Sequence, residues 1–515
     1  MSTMYTGVLI DSLSIQQYIF SSNKLREQIG ASYIVEKLMF DECIPLALQD
    51  VFDTPAPPVS DVWTKGYADY MLVADARAQF EIGYIGGGNA LVLFRDAEDA
   101  KQFVTAHSRI LLEYFPGLKT SYAIGEFDYD GDGYRDSRRM LNEHLVRNRN
   151  LMHSVTYPFK HGIFDDCDLS GEAKETMGRD GALVSTVSRS RQMYVMAASD
   201  ALKSDLLDGQ VADEYMFTDN QELLGQSEEK GYIAIVHADG NRMGQRFMNA
   251  NSLAETRMLS HSTKLFSKTV MKTLVADLLE VIDRGWDFLR LQRADGRKIL
   301  PIRPIIMGGD DITFVCEGRL GMFLAERLLR HMTATPIAGS NIQACAGVLL
   351  VHSKFPFYKA YKVCEEITKV AKERSRETAD SWLNHHISTG GISGTYRDIL
   401  VKEFTVADGR SLKYGPYVVN DERRDEPESL FRLKSGVLDL LRWPRSKAKE
   451  LRDLLRKPDS DLEFFNASLN VHPMGRDMQN CLANGVWLEG KTPFHDRVEL
   501  LDFYPKELLN HSMNL

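Results

Sequence analysis

The stretch MGGDDITFV, residues 307–315, sets two adjacent carboxylates, Asp310 and Asp311, behind Gly308 and Gly309 in an otherwise apolar run. Strand interiors disfavour glycine and aspartate. A hairpin turn accepts both, and there adjacent side chains need not point to opposite faces. The glycines let the backbone bend and a bulky ligand lie against it. Carboxylates converging at such a bend make a hard, oxygen-only site suited to Mg²⁺ or Mn²⁺. A third carboxylate, Asp239 in HADGNRMG, follows the strand expected at Tyr232–His237, and the Gly240 carbonyl offers a further oxygen. Asp239, Gly240, Asp310 and Asp311 are the candidate ligands of two metal ions. Gly240, Asn241, Gly308 and Gly309 are the candidate lining of a nucleotide site. Lys372 and Arg376, four residues apart on an expected helix and hence on one face, are candidates to grip the β- and γ-phosphates of a triphosphate. The chemistry that suits this set is in-line attack of a ribose hydroxyl on an α-phosphorus, with pyrophosphate leaving. Two plainer readings compete: a tight turn with solvated aspartates, and a solvated helix face carrying Lys372 and Arg376.

The surrounding periodicity supplies the frame. A strand at 232–237 leads into a long amphipathic helix from Leu253 to Ile282, with apolar residues at three- and four-residue steps. The strands RPIIM and ITFVC flank the GGDD turn. A helix (RLGMFLAERLLRHM), a strand (NIQACAGVLLVH) and a further helix (PFYKAYKVCEEITKVAKERSR) complete a ferredoxin-like or polymerase-palm order. The first part of the chain repeats it: strand at TGVLIDSL, helical ASYIVEKLMFDECIPLALQDVF, hairpin FEIGYIGGGNALVLF, helix AEDAKQFVTAHSRILLEYF and strand LKTSYAIGEF. Aligning the hairpins sets Ile85-Gly86-Gly87-Gly88-Asn89 on Met307-Gly308-Gly309-Asp310-Asp311, so Gly88 and Asn89 stand where the second unit has its aspartates. The expected fold is α+β, with two ferredoxin-like palm domains. A degenerate palm spans residues 1–130, an intervening domain 131–229, the GGDD palm 230–390 and a mostly helical domain 391–515.

The bulk properties fit several domains and exclude few functions. The chain has 515 residues, 43% hydrophobic and 26% charged, with net charge −10, which argues against a uniformly basic nucleic-acid coat. Its six cysteines are scattered with no C-x-x-C pair, so neither a disulfide framework nor a complete zinc knuckle is expected. With no cationic n-region ahead of Asp11 and no apolar stretch of membrane-spanning length, a cytoplasmic protein is expected.

HADGNRMG, MGGDDITFV and ACAGVLLVHSKFPFYKAYKVCEEITKVAKE, in that order, resemble the cyclase palm of the large subunit of type III CRISPR effector complexes. IDSLSIQQYIFSSNKLREQIGASYIVEKL and YIGGGNALVLF resemble that family's first, inactive palm, and the two together cover about two thirds of the chain. A more distant likeness is to GGDEF-type diguanylate cyclases, whose metal aspartates and phosphate-binding Lys and Arg fall on Asp239, Asp310, Lys372 and Arg376. The resemblance implies joining of ATP into cyclic oligoadenylates for antiviral defence. Asp310 and Asp311 would be essential, Asp239 would complete the metal site, and the first palm would help enclose two nucleotides. The partners it implies are nucleoside triphosphates, guide or target RNA and other type III subunits. A non-catalytic RNA-binding scaffold and a GTP-using dinucleotide cyclase stand as alternatives, as does a stand-alone or homo-oligomeric relative. The family's amino-terminal HD nuclease is not expected, because the first palm begins within ten residues. Of its four-cysteine zinc module Cys167 alone is left, so no zinc is expected.

Other signals weigh less. Asp128, Asp130, Asp132 and Gly133 imitate an EF-hand loop, but Arg139 stands where a bidentate Glu is required, so an acidic surface turn is expected. His385 and His386 are adjacent, which suits a loop or core position better than one metal. Arg432 to Lys457 holds nine Lys/Arg against three Asp/Glu, with Trp443, and reads either as an RNA or partner contact or as a solvated helical face.

Overall fold

The computed structural model describes residues 4–53, 66–151, 165–225, 231–391, 394–472, 475–483 and 485–514. The boundary expected at 229/230 lies outside them. Two sheets organise the chain. The first has strands β1 (Tyr5–Leu13), β2 (Phe80–Gly86), β3 (Asn89–Phe94) and β4 (Lys119–Phe127) in the order β2-β3-β1-β4. The second has β5 (Tyr232–Gly240), β6 (Ile302–Gly308), β7 (Asp311–Glu317), β8 (Ala344–His352), β9 (Trp382–Ile387) and β10 (Tyr417–Val418). Its order, β6-β7-β5-β8-β9-β10, reproduces the first sheet and then extends it.

The repetition reaches single residues. Gly86 faces Asn89 across the first hairpin, and Asn89 faces Asp11 on β1; Gly308 faces Asp311, which faces Asp239 on β5. The first hairpin is bulged between Ile82 and Tyr84, the second between Pro304 and Ile306. A bulge inserts one residue and steepens the local twist, so both hairpin tips are turned alike. This register matches the alignment of the two glycine-rich turns.

Helices cover the sheets. Around the first lie α1 (Ile15–Phe20), α2 (Leu25–Tyr33), α3 (Cys43–Phe52), α4 (Ala97–Tyr114) and α5 (Gly131–Leu151). Around the second lie α6 (Leu253–Asp283), α7 (Gly321–Ala334) and α8 (Phe357–Thr378). α5 packs on β4 and β1 as α8 packs on β8 and β5, so the charged run after residue 131 is a palm helix. It starts at Gly131, inside the EF-hand-like pattern, and thereby removes the loop a calcium ion would need.

α6 braces both hairpins. Its first turn is capped by Ser252, whose side chain accepts from Glu255 N. Its buried face carries Phe266, Val270, Met271, Leu274, Val275 and Leu278. Ser260 Oγ donates to the Ile85 carbonyl and Ser267 Oγ to that of Met307. Those carbonyls are equivalent in the two palms, and the two serines are seven residues, or two helical turns, apart on one face. One rigid helix thus fixes both turns relative to each other.

His385 and His386 lie on β9, which pairs parallel with β8. Both are buried, at 1% and 2% exposure, and burial pushes them down to about 3 and about 4, so they are neutral core residues. The basic stretch after Arg432 forms the helices Leu430–Leu440 and Arg445–Leu454. Much of its charge is used internally: buried Lys434 meets Glu326 at 2.8 Å, Arg445 pairs with Asp502, Lys447 with Glu450, and Arg456 donates to the Glu403 carbonyl; Trp443 is buried. Cys167 is buried with its sulfur 3.7 Å from Ser188 Oγ. No helix among the described residues is long and apolar enough to cross a membrane.

Candidate active site

The second hairpin delivers its carboxylates by register. Asp239 and Asp311 are directly opposed on antiparallel strands, and opposed residues share a face with Cβ atoms about 5 Å apart. Asp310 sits in the two-residue turn, and its carbonyl accepts from Gly240 N at 3.1 Å. Two glycines are sterically required here. Gly309 has φ +80°, where a side chain is strained and a Cβ would come within 2.9 Å of Thr263. A Cβ on Gly240 would lie 2.8 Å from that of Asp310. The glycines therefore close the turn and let Asp310 lie over β5.

The electrostatics are those of a crowded acidic corner. Burial, then the charges of Asp239 and Asp311, push Asp310 up to about 7, with Lys372 opposing. Asp239 is held by Lys372 of α8. Asp311 Oδ2 accepts from Gln16 Nε2 of α1 at 3.3 Å, a contact that crosses from the first palm. Asp311 Oδ1 lies 3.3 Å from His237 Nδ1, but that nitrogen is engaged with Thr313 Oγ1 at 2.9 Å, so the carboxylate oxygen is buried without a hydrogen bond. Burial lowers the affinity of His237 for a proton, yet the neighbouring Asp311 outweighs this and its pKa is raised.

The donor set fits divalent cations: oxygens only, negative in sum, with one buried carboxylate oxygen lacking a hydrogen bond. The three side chains are not drawn to common coordination distance. Among the described residues the one His/Cys/Asp/Glu group that close is His495, Asp496 and Glu499. There Lys413 Nζ already lies 2.8 Å from Asp496 and 3.4 Å from Glu499, and Asp496 also accepts from Tyr414 N, Gly415 N and Tyr417 Oη. A buried ammonium and a saturated carboxylate make that cluster an internal ion-pair hub.

The other sequence-derived candidates divide. Lys372 stands at the acidic corner; Arg376, one turn further along α8, is exposed. Asn241 donates from Nδ2 to Ser375 Oγ and from its backbone to the Gln343 carbonyl, so it ties β5 to α8. Gly308, Gly309, Asp310 and Asp311 line a cavity of about 790 Å³ whose other wall includes Gly86, Gly87 and Gly88. Asp239, Gly240, Asn241, Lys372 and Arg376 are not among its lining residues. The cavity thus lies between the two glycine-rich turns, and Asp310, Asp311 and Glu365 of the second palm face it.

Sequence reasoning passed over Gln16 and His237. His237 precedes Asp239 by two residues on one strand, so period-2 alternation places both on one face; Gln16 gave no signal, since its contact spans 295 positions. It also passed over Asp11, the positional equivalent of Asp239. Asp11 pairs with Arg149 of α5 and accepts from Asn89 Nδ2 at 3.1 Å. Arg149 thus serves Asp11 as Lys372 serves Asp239.

Residues 232–379 match the sequence model of the Cas10/Cmr2 second palm domain. No curated protein matches the chain. Among solved structures, a chain of the Csm1–Csm4 cassette in complex with pppApA is similar over 99% of this chain and 69% of its own length, at 13% identity and TM-score 0.54. The same cassette in complex with cA4 is similar over 97% and 70%, at 14% identity and TM-score 0.54. The Csm1–Csm4 subcomplex of the type III-A CRISPR-Csm interference complex is similar over 99% and 70%, at 14% identity and TM-score 0.50. At these identities the likeness is one of fold, and it extends across both palms and the helical carboxyl-terminal region. Residues 232–379 thus match a second palm domain of the Cas10/Cmr2 type, and the chain as a whole shares the fold of the chain matched in these cassettes.

Proposed function

We propose that the chain is a nucleotidyl cyclase that joins ATP into a cyclic oligonucleotide. The observation that carries this is the pair Asp310 and Asp311, presented by a hairpin to a large cavity, with one buried carboxylate oxygen lacking a hydrogen bond. The relatives with this fold include cassettes in complex with pppApA, cA4 and one ATP, a linear dinucleotide, a cyclic tetramer and the triphosphate. Their presence as a Csm1–Csm4 pair supports a second effector subunit as partner here.

In this reading a ribose oxygen of one nucleotide bonds to the α-phosphorus of another, the α–β bridging bond breaks, and pyrophosphate carries away the electron pair. The hydroxyl proton passes to solvent. Asp239, Asp310 and Asp311, with the Gly240 carbonyl, would hold two Mg²⁺ or Mn²⁺ ions, which supply charge neutralisation on the phosphates and activation of the hydroxyl. Lys372, now on Asp239, is positioned to turn to a phosphate once a cation relieves that carboxylate, and Arg376 offers a second contact one turn away. Gly308 and Gly309 present bare backbone to the nucleotide. α6, by fixing both turns, sets the width of the cavity and so the spacing of two nucleotides.

The test is mass spectrometry of the products formed from mixed nucleoside triphosphates with Mg²⁺, alongside Asp310→Ala with Asp311→Ala. Cyclic adenylate from the wild type and its loss in the double variant are expected. Unchanged turnover in the double variant overturns the reading.

A further inference from the structure

Within the cavity, one carboxyl group is left over. After α2 the chain continues as a π-helical turn, Ile34–Leu38, closed by the Met39 N–H on the Ile34 carbonyl at 2.8 Å. Such wide turns re-aim side chains and gather at functional sites. This one is pinned to the second palm, since Ser32 Oγ donates to the Ile305 carbonyl of β6. It presents Glu36 to the cavity that Asp310 and Asp311 also line.

The cations around Glu36 are engaged elsewhere. Lys264 Nζ lies 2.8 Å from Asp41, and Lys268 and Lys37 lie 3.0 and 3.7 Å from Asp205. Glu365, a further carboxylate on the cavity wall, pairs with Lys369 at 2.9 Å. Among the described residues no hydrogen bond or ion pair reaches the Glu36 carboxyl group. Burial pushes its pKa up against the opposing pull of Lys37, Lys264 and Lys268, with Asp205 adding to the rise. Phe40, Ile85, Ile306 and Met307 line the same cavity and give it apolar surface suited to the faces of a planar ring. An unpaired carboxyl group in this cavity, which also holds the acidic pair, has the chemistry to receive the hydrogen-bonding edge of a nucleobase.

We infer that Glu36 reads adenine, accepting a hydrogen bond from the exocyclic 6-amino group of the bound nucleotide; this rests on the cyclase reading of the site. The carboxylate accepts from N6–H₂ of adenine; guanine offers N1–H and N2–H₂ to the same acceptor, so the guanosine arm of the test decides between the two bases. A site built to receive an N–H rejects the analogue lacking it, because its own polar group is then left unpaired.

The test is equilibrium binding of three α,β-methylene triphosphates to the full-length chain with Mg²⁺. These carry adenosine, purine riboside (which lacks the 6-amino group) or guanosine, and none can release pyrophosphate. The adenosine form is expected to bind about 10- to 100-fold tighter than the purine riboside form, the worth of one hydrogen bond to a charged or strongly polar group. Glu36→Ala should bind the two alike, and Glu36→Gln, which keeps an acceptor oxygen, should restore the preference. Equal binding of adenosine and purine riboside by the wild type overturns the assignment without recourse to any variant. So does an undiminished preference in folded Glu36→Ala, or tightest binding of the guanosine form. If none of the three binds, the cyclase reading fails and takes this assignment with it; if all bind alike, this assignment alone fails.

Discussion

The two palms share strand order, register, hairpin bulge and a common bracing helix, yet the first corner is balanced in charge and the second is net negative. In the first, Asp11 is paired with Arg149 and Asn89 donates to it, and the turn residue is Gly88. In the second, Asp239 is paired with Lys372, but Asp310 and Asp311 add two carboxylates, one oxygen of which has no hydrogen bond. The first corner is satisfied by its own protein groups. The second is destabilised as it stands, and in the proposed reading cations would relieve it. Strain of this kind at a site is the usual mark of function set against stability, and here the molecule carries its own control, the same frame without the charge.

The largest way to break the comparison is to make the second corner like the first. Asp310→Ala with Asp311→Ala should lower ATP turnover by at least ~10³-fold, since metal-assisted charge stabilisation is worth several kcal/mol, with far-ultraviolet circular dichroism unchanged. Lys372→Met should lower turnover by about 10²-fold, the range for a lost charged phosphate contact. Arg149→Met, its counterpart, should act on stability instead.

Asp310→Asn sharpens the contrast in the metal-free protein. Asp310 is raised to about 7 from an ordinary value near 3.8, so between these pH values the folded chain holds a proton that the unfolded chain has released. Stability is therefore lost as pH rises through that window. Asp310→Asn should stabilise the metal-free protein at pH 8 by roughly 2 kcal/mol, allowing for solvent screening at a half-buried corner, and should do little at pH 4. Thermal melts at the two pH values, with and without Mg²⁺, measure it; a gain persisting at pH 4 would speak against carboxylate crowding. The smallest expected effect is that of Arg149→Met, a loss of about 1–2 kcal/mol from leaving Asp11, 11% exposed, without its half-exposed cation, read as a lowered Tm.

The frame was legible because its signals are local. Alternating strands, the three-to-four-residue spacing along α6 and the two glycine-rich turns all report on neighbours within one element. The acidic pair was legible because aspartates among strand residues contradict propensity. What was hidden depends on distance along the chain. β9 reads as a short apolar run interrupted by two histidines, and only its burial beside β8 makes it a strand. Gln16 is an ordinary polar residue on a short helix, and it meets Asp311 only because two palms face each other. Asp11 looked like a break in an apolar run until the register set it opposite Asn89. Glu36 needed a π-helical turn, which no periodicity announces, to reach the cavity. The basic run after Arg432 was ambiguous because composition does not say whether a cation faces solvent or, like Lys434, a buried carboxylate.

Manganese binding tests the central claim most directly: that the carboxylates of the second turn, and no equivalent in the first, hold divalent cations against a nucleotide. Electron paramagnetic resonance titration of Mn²⁺ in the presence of the α,β-methylene analogue of ATP should show tight sites in the wild type that vanish in Asp310→Asn with Asp311→Asn and survive Asp11→Asn. Tight Mn²⁺ binding that persists without Asp310 and Asp311, or that disappears with Asp11, would contradict the account.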